Sequence, residues 1–243
     1  MLKKRIAELK KRAEFMYTAE FTDFLTLSEA ETARSVLSGT NHLFYGGFTG
    51  SERQMLCVAP DTVEITPELF PVCGMRITPK SIRFAEELTH RDVLGSVLGL
   101  GLERSVIGDI YLKEKEAYLL CAERIAPFLS EHLIQVRHTG VICRISTAEA
   151  EEFEREFRLV TKTVAANRID AVVAAAFGIA RGTSASAISS GKVFINGRET
   201  TSPSATVKEG DVISLRGTGK ARLKEIGGLT KKGRIQIALE RYQ

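Results

Sequence analysis

No run of 18 apolar residues occurs in the 243-residue chain, so the sequence predicts no membrane-spanning helix. The basic opening, MLKKRIAELKKRAEF, has no apolar segment behind it of the kind a secretory signal needs. Leu2, Ile6, Leu9 and Ala13 instead trace one face of a helix. The expectation is a cytoplasmic protein without membrane contact. Cysteine is sparse. None of Cys57, Cys73, Cys121 and Cys143 stands in a C-x-x-C pair or near a histidine at zinc spacing, and Cys121 and Cys143 lie in strand-like apolar runs. Reduced, mostly buried thiols are expected.

Signatures of catalysis are also lacking. His42, His90, His132 and His138 are scattered, and there is no P-loop, nucleophile elbow or H-E-x-x-H. His90-Arg91-Asp92 would need an Asn where Val97 stands to read as a kinase loop; helix capping explains it better. The run from Gly99 to Arg104 has Arg where a dinucleotide fingerprint needs its third Gly, and it closes a helix. The sequence predicts no enzyme, no cofactor and no metal site.

What the chain does have is an uneven charge. From Ala165 to the end there are 13 Lys and Arg against 6 Asp and Glu, and the remainder carries 21 against 24. From Arg216 onward the balance is eight basic to two acidic. Such asymmetry points to a polyanionic partner.

Hydrophobic residues at 44% and charged residues at 26% are ordinary globular values, and the length suits two or three small domains. The predicted class is α+β in three parts. Residues 1–76 form a small α/β domain with a capping box at Thr26-Leu27-Ser28-Glu29, a helix to Gly39 and a glycine-shaped loop, GGFTGSER. Residues 77–150 read β-α-β-β-α-β, the order of a ferredoxin-like unit shared by many RNA-recognition domains; Thr89 caps its first helix. A Glu-rich stretch, TAEAEEFEREF, is the expected linker. Residues 158–243 hold two helices broken at Gly178, the hairpin KVFINGRE, a Glu-Gly-Asp turn with a further strand, and a basic arm, Arg216–Arg234.

Arg168-Ile169-Asp170, Arg181, Lys192, Asn196-Gly197-Arg198 and Gly210-Asp211-Val212-Ile213 recur in an order that closely resembles the RNA-binding domain of ribosomal small-subunit protein four, the S-four domain. The resemblance implies that Arg168, Arg181, Thr183, Lys192, Asn196 and Arg198 face RNA. The arm adds Arg216, Lys220, Lys231, Lys232 and Arg234 as candidates. A carboxylate repels phosphate, so Asp170 is read as a helix-start or arginine-orienting residue. The pattern departs at Ala180-Arg181-Gly182-Thr183, where one expected basic residue is missing.

The whole chain resembles the YlmH family of bacterial S-four proteins. The likeness rests on GGFTGSER, HRDVLGSVLGLGLERSVIGDI, TVAANRIDAVVAAAFGIAR and RGTGKARLKEIGGLTKKGR. It implies a non-catalytic factor that binds ribosomal RNA and tRNA on large subunits carrying obstructed peptidyl-tRNA, in ribosome-associated quality control. Quality-control proteins would be partners. The alternative is an adaptor that binds cell-division proteins.

Overall fold

In the computed structural model the described residues are 2–48, 50–146 and 157–242. They belong to two compact units, Met1–Glu154 and Arg155–Gln243.

The first unit opens with α1 (Leu2–Met16), whose Ile6, Leu9 and Ala13 are buried, as their spacing requires. β1 (Glu20–Phe21) follows, then α2 (Leu27–Arg34). Thr26 starts α2 with the expected reciprocal box: its hydroxyl accepts from Glu29 N at 3.3 Å, and the Glu29 carboxylate accepts from Thr26 N at 2.8 Å. The helix stops at Arg34, short of the expected Gly39, and turns carry the chain on until Gly39 reverses it at φ +66°. β2 (His42–Tyr45) and β3 (Met55–Val58) complete a small antiparallel sheet, ordered β1-β3-β2. Ile6, Leu9, Ala13, Ala30, Ala33 and Leu37 pack there with Leu56 and Val58.

Next come β4 (Val72–Pro79), α3 (His90–Gly99), β5 (Ile107–Lys113) and β6 (Glu116–Ala122). Then follow α4 (Ala126–His132), β7 (Gln135–Val136) and β8 (Thr139–Ile145). The sheet runs β5-β6-β4-β8-β7, antiparallel throughout, with the first and third long strands central. That is the ferredoxin-like order, with β7 added at one edge. Met75, Ile77 and Leu119 are fully buried against α3 and α4, each stabilising by roughly 1.5–3 kcal/mol relative to exposure. Phe24, Met55 and Cys57 belong to the same core, so the first two expected segments pack as one unit. The boundary expected after Arg76 falls inside β4. Apart from Phe157, the expected Glu-rich linker lies outside the described residues.

The second unit begins with β9 (Phe157–Val164), α5 (Ile169–Phe177) and α6 (Arg181–Ser189). The expected hairpin is β10 (Val193–Ile195) and β11 (Arg198–Glu199), followed by β12 (Val212–Leu215), β13 (Gly219–Leu229) and β14 (Ile235–Tyr242). Six strands form one sheet, β11-β10-β12-β13-β14-β9. Ile169, Val172, Val173 and Ile188 of the helices share a core with Val193, Ile213, Leu215, Ala221, Leu223, Ile237 and Leu239 on one sheet face. The segment read as a basic arm is therefore a strand with its flanking turns. Ala221 and Leu223 alternate with Arg222 and Lys224, and a period of two buries the apolar half in a sheet.

Candidate nucleic-acid interface

α5 is apolar almost throughout and ends at Gly178, whose φ of +67° lets the chain turn through 118° into α6. This turn brings the two helix starts together. Asp170, 5% exposed, lies between them. Its carboxylate accepts from Arg168 Nε at 3.2 Å and Nη2 at 3.3 Å, from Arg181 Nε at 3.1 Å, and from Ala171 N at 2.9 Å. Buried Ser184 donates its hydroxyl to the Asp170 carbonyl at 2.8 Å, locking α6 to α5. The two guanidinium side chains remain 43% and 53% exposed. One carboxylate thus orients two cations and leaves a net positive charge at the surface. Thr183 is exposed in the first turn of α6 beside them.

At the hairpin tip Asn196 (φ +49°) and Gly197 (φ +77°) form a two-residue turn with both φ positive, between paired Ile195 and Arg198. Asn196, expected to face RNA, is instead 9% exposed. Its amide donates to Asp211 Oδ1 at 2.8 Å, and its carbonyl oxygen accepts from Val212 N at 2.8 Å. Geometry makes it the pin that fixes the tip to β12. Lys192 and Arg198 are exposed on either side of β10 and the turn.

The candidates of the basic stretch fall into two places. Arg216 donates its backbone N–H to the Lys192 carbonyl at 2.9 Å, and its guanidinium lies 5.3 Å from the Phe194 ring centroid. Lys220 pairs with Ser214, and Ser214 with Phe194, so this row projects from the sheet face opposite the helices. Lys231 and Lys232 stand about 30 Å further along, at the other end of the eleven-residue β13. Arg234, in the same turn, donates to the Thr163 carbonyl at 2.7 Å and to its hydroxyl at 3.2 Å, tying the turn to β9. The sequence reading missed Arg222, whose guanidinium lies 6.0 Å from the Phe157 ring centroid on that same helix-free face. A strand alternation of basic and apolar residues was the available signal.

In the first unit, the face of the ferredoxin-like sheet away from α3 and α4 carries Tyr111 and Tyr118 on adjacent strands. RNA-recognition sheets commonly use such aromatics to stack bases. Here the GGFTGSER loop covers them. Phe48 stacks on Tyr118 at 5.5 Å and meets Tyr111 edge-on at 5.6 Å, leaving the tyrosines 3% and 8% exposed. The loop is held by buried Asp109, which accepts from Glu52 N at 2.7 Å and from Arg53 N at 3.3 Å. Arg53 also donates to the carbonyls of Phe24, Arg104 and Ile107. A side chain at Gly47 would meet Leu120 at 2.6 Å, and one at Gly74 would meet the Tyr118 hydroxyl at 1.7 Å, so both close approaches require glycine. Among the described residues, no group of three or more His, Cys, Asp or Glu is placed to hold a metal.

Comparison with known proteins agrees with this architecture. The family model "Putative RNA-binding domain in YlmH" matches residues 75–151, and the S4 domain model matches residues 167–213. The chain is 30% identical, over 97% of its length and 92% of the relative's, to the Bacillus subtilis (strain 168) "Ribosome-associated protein quality control protein P2". The solved structure of "Cell division protein ylmH from Streptococcus pneumoniae" shares the fold, with a TM-score of 0.55 at 18% identity, over 62% of this chain and 91% of that one. With both domain models in place and a relative alike over nearly its whole length, the chain belongs to the YlmH family of proteins with a C-terminal S4 domain.

Proposed function

We propose that this chain is a non-catalytic RNA-binding factor of ribosome-associated quality control in the cytoplasm. It binds ribosomal RNA and tRNA on large ribosomal subunits that carry obstructed peptidyl-tRNA. The observation that carries this reading is the Arg168–Asp170–Arg181 clamp within the S4 domain: two half-exposed guanidinium groups preset by one buried carboxylate. Structured RNA is met largely through phosphates and ribose hydroxyls, which a rigid pair of forks suits. The name of the Bacillus subtilis relative supports the ribosomal setting. Arg168, Arg181 and Thr183 form the contact on the helix side. Lys192, Arg198, Arg216 and Lys220 serve around the hairpin, Lys231, Lys232 and Arg234 at the far turn, and Asn196 positions the tip. Residues 158–243 grip ribosomal RNA, and residues 1–76 and 77–150 meet tRNA or a partner factor.

Binding of the full chain to purified large subunits, empty or carrying peptidyl-tRNA, measured across a KCl series, tests this. The expected result is tighter binding to loaded subunits and a steep loss of affinity with salt. Each lost phosphate contact lowers the log–log slope by about 0.7–0.9, so joint Arg181→Glu and Lys192→Glu substitution flattens it by about 1.5 and weakens binding more than about tenfold. Unchanged affinity and slope in that variant would sink the reading.

A further inference from the structure

We propose that the outward face of α1 is a second RNA-binding surface, one that takes the phosphate backbone through two triplets of cations. The helix contains a short duplication, LKKRIAE followed by LKKRAEF, which places Lys3-Lys4-Arg5 seven residues before Lys10-Lys11-Arg12. Seven residues are about two turns, so the triplets repeat about 10.5 Å apart along one side of the helix. Its rotation is set from within. Ile6, Leu9 and Ala13 are 2%, 7% and 0% exposed, which leaves Lys4, Lys11 and Phe15 along the crest opposite and the other cations on its flanks.

Folding does not account for this charge. The first turn of α1 has three cations and no acid, where the helix dipole disfavours positive charge. Lys4–Glu8 is a long pair at 3.9 Å with side chains 85% and 66% exposed, and Arg12 pairs with Glu20. Among the described residues no ion pair engages Lys3, Arg5, Lys10 or Lys11. Six cations against two carboxylates therefore remain as a surface complementary to a polyanion. At the end of the same crest Phe15 is 81% exposed, and Tyr17, held at φ +52°, is 80% exposed. Exposed aromatics beside cations suit a nucleic acid, since bases stack on rings while phosphates meet the amines. An anionic membrane fits less well. A helix that lies in a bilayer inserts its apolar stripe, and the stripe of α1 is already closed against Ala30, Ala33, Leu56 and Val58.

The inference rests on the RNA-binding reading above but uses α1 rather than the S4 domain, so the two can fail separately. The test uses the full-length protein, with a tRNA transcript and purified large subunits as probes across a KCl series. Lys3, Lys4, Lys10 and Lys11 are changed together to Gln, which keeps helix propensity and leaves the Arg12–Glu20 pair alone. The expected result is a log–log slope smaller by about 2–3 for at least one probe, with an unchanged melting temperature. Phe15→Ala with Tyr17→Ala weakens binding severalfold without changing the slope. Unaltered affinity and slope in the Gln variant, while Arg181→Glu with Lys192→Glu still weakens binding, would overturn the α1 surface and leave the S4 reading standing. Loss in the Gln variant alone would support α1 and count against the S4 face. Capture of the chain by phosphatidylglycerol vesicles, lost in the Gln variant with RNA affinity intact, would overturn it in favour of a membrane.

Discussion

At Asp170 a carboxylate sits where repulsion from phosphate alone would exclude one. The contacts resolve the conflict: the side chain is nearly buried, and its charge is spent on Arg168 and Arg181. Two roles for it predict opposite outcomes. Removing a repulsive charge would tighten RNA binding, whereas removing an orienting group would loosen it. Asp170→Asn is expected to weaken binding severalfold and to destabilise the second unit by about 1–3 kcal/mol, because the arginines lose a charged acceptor. RNA titration beside denaturant unfolding checks both; tighter binding would refute the orienting role. That role was legible from the charge argument. The part played by Asn196 was not, because its partners Asp211 and Val212 lie 15 and 16 residues away.

Among the elements, the β10–β11 hairpin joins local and distant causes. Asn-Gly predicts its turn, since both φ angles are positive and Asn tolerates that region better than most residues. Its placement depends on the Asn196 side chain. Asn196→Ala is expected to cost about 2–3 kcal/mol, from lost hydrogen bonds and an unfavourable φ. Asn196→Gly recovers about 1 kcal/mol of this, because glycine restores the backbone but not the bonds. Unfolding midpoints of the two variants decide, and equal losses would contradict the backbone share. For β13, by contrast, the sequence showed charge and concealed structure. Lys and Arg outnumber Asp and Glu there enough to suggest an arm, yet Ala221, Leu223 and Ile226 needed a core. The pattern of twos became visible only beside β12 and β14.

For the whole molecule, cysteine distribution offers a probe of the two units. All four thiols lie in the first unit and all are free. Burial pushes the thiols of Cys57 and Cys143 up to about 12 and that of Cys121 higher still, while half-buried Cys73 is raised less. A raised pKa means less thiolate at neutral pH and slower alkylation. Under native conditions Cys73 is expected to react first. The other three are expected to react only as the first unit opens, a sequence that mass spectrometry of alkylated peptides can follow. Alkylation of Cys121 at the rate of a free thiol would show that the core around β4 and β6 is not closed. That core is also why the first unit does not divide after Arg76: Phe24, Met55 and Cys57 lack enough apolar surroundings without β4 and its neighbours.

By itself the sequence determined the rotation of α1, the capping box at Thr26, the N-cap at Thr89, the stop at Gly178, the strand–helix order of the ferredoxin-like sheet and the residues of the S4 pattern. These depend on neighbours within a turn or two, or on a pattern that runs along the chain. Tertiary structure alone decided that Phe48 seals Tyr111 and Tyr118, that β9 closes the edge beyond β14, and that Lys220 faces away from Arg168 and Arg181. Each of these turns on which distant strand or loop becomes a neighbour, and that choice is made by the burial of apolar surface across the whole unit.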